Sequence, residues 1–529
     1  MHRMPCLISS GGRRRLPLGI VASHISAFVP QPLNYSQGIR WASPAQTVAP
    51  HTARFYLPVH AVIAPPMEYL TSFPYHVCSQ LWATMSALTG YGQPCFAPRD
   101  LPEFDIDGET GFVPPRPLPR LQGDYQIWED TLREAAGRVS LGCDESDEAI
   151  SRRAYSKSWR QKVDSWPVLD TSEFGLKEQQ RAHYVLAFIL HYYAHSIPDD
   201  DMDKCSPIHI PKSLAKPLVA VSRALRIAPV LTYADTIIWN LELINPDGPT
   251  TPDNLQNETL FSETEDESAF YMSQVNCELR GAELLTCMQE LSQMTKEDAK
   301  NPDNFPCVSC MLTRLKLVIE DLDKLIKSVR PLCDPHLFYW KIRPWFIGST
   351  KEHPWIFDGE EPGSDLLGPS GGQSTLMHAI DVWLDVDHML RYKRVPEPCD
   401  ANKRADLGFM RRMWRYMPGV HRDFLEYLEA APVRLRNLAQ EVPALREPYD
   451  AAVMAMKRLR DAHIGIAVLY VVSAAKELPP GCPLSMMAKA MEAKGPEGKS
   501  KGTGGSEVST LLKAGRDATR RTMLKDNCN

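Results

Sequence analysis

A chain of 529 residues that is 43% hydrophobic and 23% charged can bury a large core, with room for two domains and appended segments. Its formal net charge of -6 and pI near 6.2, without a long basic run, exclude a nucleic-acid footprint and speak against polyanionic partners. Apolar runs such as VLAFIL and IAVLYVV fall short of the roughly 20 residues that cross a bilayer, so no membrane-spanning helix is predicted. Thirteen cysteines, an odd number without framework spacing, fit reduced thiols in an intracellular compartment. The one CxxC, Cys307 to Cys310, has no second pair to complete a four-ligand zinc site.

Before Glu68 the chain has no acidic residue, while Arg3, Arg13, Arg14, Arg15, Arg40 and Arg54 lie among serines and alanines. That is the composition of a mitochondrial transit peptide, and a disordered extension satisfies it equally. Residues 1–104 are therefore expected to be a partly disordered extension, and residues 105–210 a small, mostly helical N-terminal domain. In that domain DYQIWEDTLREAAGRV reads as an amphipathic helix, and SEFGLKEQQRAHYVLAFILHYYAHSI as a serine-capped helix that becomes fully buried. Residues 211–229, punctuated by Pro211, Pro217 and Pro229, are expected to connect it to a large domain over 230–529. There apolar residues recur at three- and four-residue spacing over 230–243, 268–293, 308–330, 334–343, 375–393, 405–416, 418–430 and 447–476, so the fold class is mainly α. Residues 477–506 shift to Gly, Pro, Lys and Ser and read as a mobile loop before a last helix, 507–525.

Several stretches carry candidate chemistry. FYWKIRPWFIG, residues 338–348, sets a lysine and an arginine in a core-like run. Asp334 suits an N-cap, Pro335 the first turn, and Pro344 ends the helix near Arg343, with Tyr339 four residues away on the same face. Arg343 then either neutralises the helix C-terminus or enters an aromatic cavity and takes a ligand carboxylate in its planar fork. His463 shares an apolar face with Met456, Leu459, Ile466, Ala467 and Tyr470. It is either a satisfied core histidine or an axial haem ligand. LGPSGGQSTLMHAIDVW lacks the ending of a P-loop, which argues against a nucleotide site; its amides and the Ser370 hydroxyl suit one small anion such as a propionate, or simply cap a helix. Tyr233, Thr236 and Ile237, and Phe270, Tyr271 and Gln274, lie along helix faces that fit core packing. KGTGGS, 501–506, is a flexible glycine loop.

Taken in order, ETGFVPPRPLPRL, PVLTYAD, LFSETEDESAFYMSQ, LFYWKIRPWFIG, GPSGGQSTLMHAID, RMWRYMPGVHRDF, LREPYDAAVMAMKRLRDAH and KGTGGSEVSTLLK resemble the indoleamine 2,3-dioxygenase family. The resemblance implies a large helical haem-binding domain in which His463 is the proximal ligand of haem b. It also implies that Arg343 pairs with the carboxylate of L-tryptophan, that Phe338 and Tyr339 lie beside the indole, and that Tyr233, Phe270 and Thr236 wall the pocket. Gln274 stands where some members carry serine. Ser370 with Gly371 matches the haem edge, Asp381 with Arg460 the polar pair behind the proximal histidine, and Thr503 the glycine loop over the site. No residue is implied as general acid or base. The implied reaction adds O2 across the indole C2–C3 bond to give N-formylkynurenine, the first step from tryptophan toward NAD, with an electron donor keeping the iron ferrous. Other indoleamines are implied as further substrates, and the implied state is a monomer in the cytoplasm, with mitochondria as the alternative that the arginine-rich N-terminus suggests. A catalytically weak or silent haem-binding paralogue with a regulatory role is the competing expectation.

Overall fold

The computed structural model describes residues 99–198, 206–363, 365–476 and 507–525, all within one contact unit, Pro74–Asn529. The extension before residue 99 and the stretch 477–506, Thr503 included, lie outside the described residues.

Helix α1, Gln126–Ala135, turns Trp128, Leu132 and Ala135 inward, as its amphipathic spacing predicts. Helix α2, Asp147–Asp164, is one that apolar spacing does not reveal, because it buries only Ala149, Ser156, Trp159, Arg160 and Val163. Its start is set by capping: the Ser146 hydroxyl accepts from the Ala149 N–H, and Asp147 and Glu148 face the positive end of the helix dipole. Helix α3, Leu176–His195, is buried almost continuously from Gln180 to Ala194. The expected serine cap is instead Gly175, whose N–H donates to the Glu178 carboxylate at 2.8 Å, while Ser172 bonds to Asp170.

The segment expected to connect two lobes is itself a helix, α4, Lys212–Leu225, packed on α3. Pro217 inside it removes a backbone hydrogen bond at a cost of about 3 kcal/mol. Leu214, Leu218, Val219, Val221 and Leu225 are buried along its face, and each is worth about 1.5–3 kcal/mol. Packing therefore outweighs the proline.

The remaining long helices are α5, Glu265–Ser292, α6, Phe305–Lys327, α7, Thr375–Trp383, α8, Gly419–Glu429, α9, Pro443–Ala467, and α10, Val508–Arg520. Helix α9 packs along α6 and against α10, α6 packs on α5, and α7 lies between α5 and α8. Among the described residues strand is confined to two short pairs: Ile208–Ile210 runs parallel to Trp355–Phe357, and Glu242–Leu243 antiparallel to Leu255–Gln256. The mainly α expectation holds.

Three predicted helices change winding. Residues 230–243 contain a single wide turn, Ala234–Ile238, in which the Trp239 N–H reaches the Ala234 carbonyl five residues back at 2.8 Å. Asp334 caps Pro335–Leu337 as expected, but the chain then forms a π turn, Phe338–Ile342, and a 3-10 turn, Arg343–Phe346. The helix predicted over 447–476 is α-helical to Ala467 and then widens into a π turn, Val468–Ser473. Such turns insert an extra residue and concentrate at functional sites.

Candidate active site

The three wide turns, together with α5, α9 and the glycine-rich segment before α7, enclose a cavity of about 410 Å³, within the roughly 300–1,000 Å³ of small-molecule sites. Helix α9 contributes Leu459, Arg460, His463, Ile466 and Ala467, the face that the apolar spacing predicts. Tyr233 and Thr236 enter from the first wide turn, and Phe270 and Gln274 from α5. The widened winding of Phe338–Ile342 decides which side chains enter from the segment that opens on FYWKIRP. The Arg343 N–H bonds to the Phe338 carbonyl, so these two, five apart, both line the cavity. Tyr339 does not line it; its ring centroid lies 5.2 Å from Arg343 Cζ. Burial lowers the Arg343 pKa from its ordinary value, with Tyr339 opposing. Phe338 packs against Phe270 and Tyr470, with ring centroids 4.7 and 5.5 Å away.

His463 is open on the cavity side, and among the described residues neither ring nitrogen takes a hydrogen bond. Its pKa is lowered, first by burial and then by the positive charge of Arg460. Arg460 in turn grips Asp381 at 2.5 and 2.7 Å and donates to the Thr519 hydroxyl. Asp381, off the cavity wall, also faces His388 Nε2 at 2.8 Å. Burial alone would raise the Asp381 pKa, yet Arg460 and His388 outweigh it and hold the carboxyl well below the usual range.

In the glycine-rich segment the Ser370 hydroxyl accepts from the Gly372 N–H at 3.2 Å, and Ser370 and Gly371 both line the cavity. Gln373 fixes Tyr233 by accepting its backbone N–H at 2.8 Å. Two expected lining residues are engaged with their own backbone: Thr236 Oγ1 donates to the Thr232 carbonyl at 3.2 Å and Gln274 Nε2 to the Phe270 carbonyl at 3.1 Å. Sequence reasoning missed Glu278 and His388, both on the wall. Glu278 had a signal, since it follows Phe270 and Gln274 at four-residue steps. His388 had none, because it comes after α7 has ended and Asp385 has turned the chain at a left-handed φ of 57°.

Fold and cavity together define a mainly helical protein with an aromatic-walled pocket that sets one imidazole, unengaged among the described residues, and one half-buried guanidinium around the same space. Residues 100–522 match the family model described as indoleamine 2,3-dioxygenase. The chain is 27% identical over 435 residues to indoleamine 2,3-dioxygenase 1 of Rattus norvegicus, covering 80% of this chain and 96% of the relative. It is 28% identical over 454 residues to indoleamine 2,3-dioxygenase of Saccharomyces cerevisiae, covering 80% and 93%. To a 6-hydroxytryptophan 2,3-dioxygenase of Fusarium equiseti it is 26% identical over 388 residues, covering 70% and 85%. The chain belongs to the indoleamine 2,3-dioxygenase family, and so to the haem-dependent dioxygenases, which are oxidoreductases.

Proposed function

We propose that this protein holds haem b through a ring nitrogen of His463 and inserts both atoms of O2 across the C2–C3 bond of L-tryptophan, giving N-formylkynurenine. The observation that carries the reading is an imidazole that has no hydrogen-bond partner among the described residues and faces a cavity that Arg343 also lines. The residues fit the cofactor: the walls are largely aliphatic and aromatic, and Arg460 favours the neutral, ligating form of the imidazole. When bound, haem supplies the activation of O2, and the protein supplies orientation and polarity.

Arg343 takes the substrate carboxylate, since a planar guanidinium can bind it with two parallel hydrogen bonds, and burial makes an anion the favoured counterpart. Phe270, Phe338 and Tyr233 flank the indole and fix its reacting bond in place, which lowers the entropic part of the barrier. Thr236 and Gln274, bonded to backbone, shape the wall. Asp381 neutralises Arg460 behind the imidazole, and Ser370 with Gly371, on the cavity wall, would border the bound macrocycle. The relative named for 6-hydroxytryptophan supports ring-substituted tryptophans as further substrates.

Reconstitution with haem, reduction, and addition of tryptophan and air should generate the absorbance of N-formylkynurenine; haem binding without product would overturn the catalytic reading. Arg343→Ala should raise KM for tryptophan by about 10–100-fold, the loss of a charge-assisted hydrogen bond, with the haem spectrum intact. An unchanged KM removes the carboxylate role.

A further inference from the structure

Glu278 borders the same cavity, and the proposed reaction gives it no part. It is only 2% exposed. Its Oε1 accepts from the Tyr233 hydroxyl at 2.9 Å and from the Ser374 hydroxyl at 2.7 Å, while among the described residues Oε2 has no hydrogen-bond partner. Ser374 also caps α7 by accepting from the Met377 N–H at 3.3 Å. One carboxyl therefore joins three walls: α5, the segment entering the first wide turn, and the glycine-rich segment before α7. Gly281, three residues further along α5, permits this closeness, because Leu376 of α7 packs where a side chain at 281 would stand.

Among the described residues, the surroundings of this carboxyl offer hydroxyls and no cation. Tyr233 faces it from the first wide turn, Ser374 from α7, and Cys277 adjoins it on α5, its thiol pushed up by burial and then by Glu278 itself. Burial raises the Glu278 pKa to about 7, against the opposing effect of the two hydroxyls. An ionised carboxylate with only two donors and no counter-charge is costly to bury.

We propose that Glu278 is a positioning residue that works as the neutral acid, holding Tyr233 and the Ser374 end of the glycine-rich segment around the cavity and coupling cofactor retention to one proton. The proposal rests on reading the cavity as the haem site. An apolar macrocycle filling the cavity desolvates the carboxyl further, so occupancy favours its protonated form. By linkage, haem binding then takes up a proton, and affinity falls as pH rises past neutrality, by at most about tenfold per pH unit.

The test uses the full-length protein, its haem affinity followed by Soret titration from ~pH 6 to ~pH 9, together with thermal unfolding of the haem-free form at both ends of that range. Wild type should lose about tenfold or more in affinity across the upper part. Glu278→Gln keeps an acceptor for both hydroxyls and cannot ionise, so its profile should be flat there. Glu278→Ala should bind haem more weakly at every pH. Without haem, Glu278→Gln should melt above wild type, and by more at the alkaline end of the range than at the acid end, because a raised carboxyl pKa subtracts stability from the unfolded value upward until the folded value is passed. A fall in affinity that is parallel in wild type and Glu278→Gln overturns the proposal, as does a flat wild-type profile. A wild type that binds no haem overturns the proposed function instead; the haem-free melting comparison then decides whether Glu278 carries a proton, and equal melting on the alkaline side refutes it.

Discussion

Helices α3 and α9 both carry histidine into the interior on apolar faces, and they differ in what the ring nitrogens meet. On α3, His183 places Nδ1 2.7 Å from Asp235 and Nε2 3.1 Å from the Ala228 carbonyl, so each nitrogen meets an oxygen. His191 donates to the Trp345 carbonyl at 2.6 Å and accepts from the Leu231 N–H at 3.3 Å. His195 donates to the Ile347 carbonyl at 2.6 Å. These rings bracket the chain. Before α7 ends, His378 does the same for the glycine-rich segment, donating to the Gly372 carbonyl at 2.8 Å and accepting from Trp414 Nε1 at 3.0 Å. On α9, His463 meets no such partner among the described residues and opens on a cavity. Residue type and apolar spacing are shared. An open cavity beside the unengaged nitrogens makes the difference, since His421 on α8 also lacks a hydrogen-bond partner among the described residues but is buried against Phe112; only a ring that faces space can offer a lone pair to iron.

The strongest test of that contrast exchanges stability for cofactor binding. His463→Ala should abolish retention of haem on gel filtration, while the haem-free variant unfolds within about 0.5 kcal/mol of wild type, as expected of a side chain without buried bonds. Normal pigment retention would end the distinction. His183→Ala should do the opposite: it leaves the Asp235 carboxylate buried with only Thr232 as partner, at a cost of about 3–5 kcal/mol. The readout is the denaturant midpoint of the haem-free protein, and a loss below about 1 kcal/mol would mean that the α3 histidine is no bracket.

Much of the helical frame was legible in the sequence, because α5, α6, α8 and α9 each bury a continuous stripe at three- and four-residue spacing. Helix α2 was not, since its buried stripe is thin, and α4 was hidden by prolines that its packing tolerates. The site was legible in part. Locally, Arg343 and His463 each allowed a structural and a functional reading; the ordered set of motifs favoured the functional one, and the structure brings both residues to one cavity. The wide turns escaped notice because apolar side chains continue through them. For that reason Tyr339, placed on the Arg343 face by ordinary helical spacing, lies off the wall, and Phe338 lies on it.

Behind His463 the comparison can be sharpened without touching either kind of ring. Asp381→Asn keeps the shape of the side chain but removes the charge that holds Arg460. Haem affinity should fall by about tenfold, the low end for groups around a metal ligand, because Asp381 reaches the imidazole only through Arg460; a Soret titration measures it. An unaltered affinity would assign the Asp381 cluster to folding alone.

The smallest effect expected per group is a dependence of stability on acid. Burial holds His191 at about 3 and His195 and His378 at about 4, against an ordinary 6.5. These rings stay neutral when folded and would be protonated if unfolded, so their stabilisation is complete above the unfolded pKa and is lost as pH falls from there toward the folded values. Each can remove up to about 1.4 kcal/mol per pH unit, which denaturant titrations of the haem-free protein at a series of pH values would resolve. His463 shifts in the same direction, so His463→Ala should leave most of this slope in place. A slope that disappears in His463→Ala would place the acid sensitivity in the open ring, and the engaged histidines would then be ordinary core residues without a titration of their own.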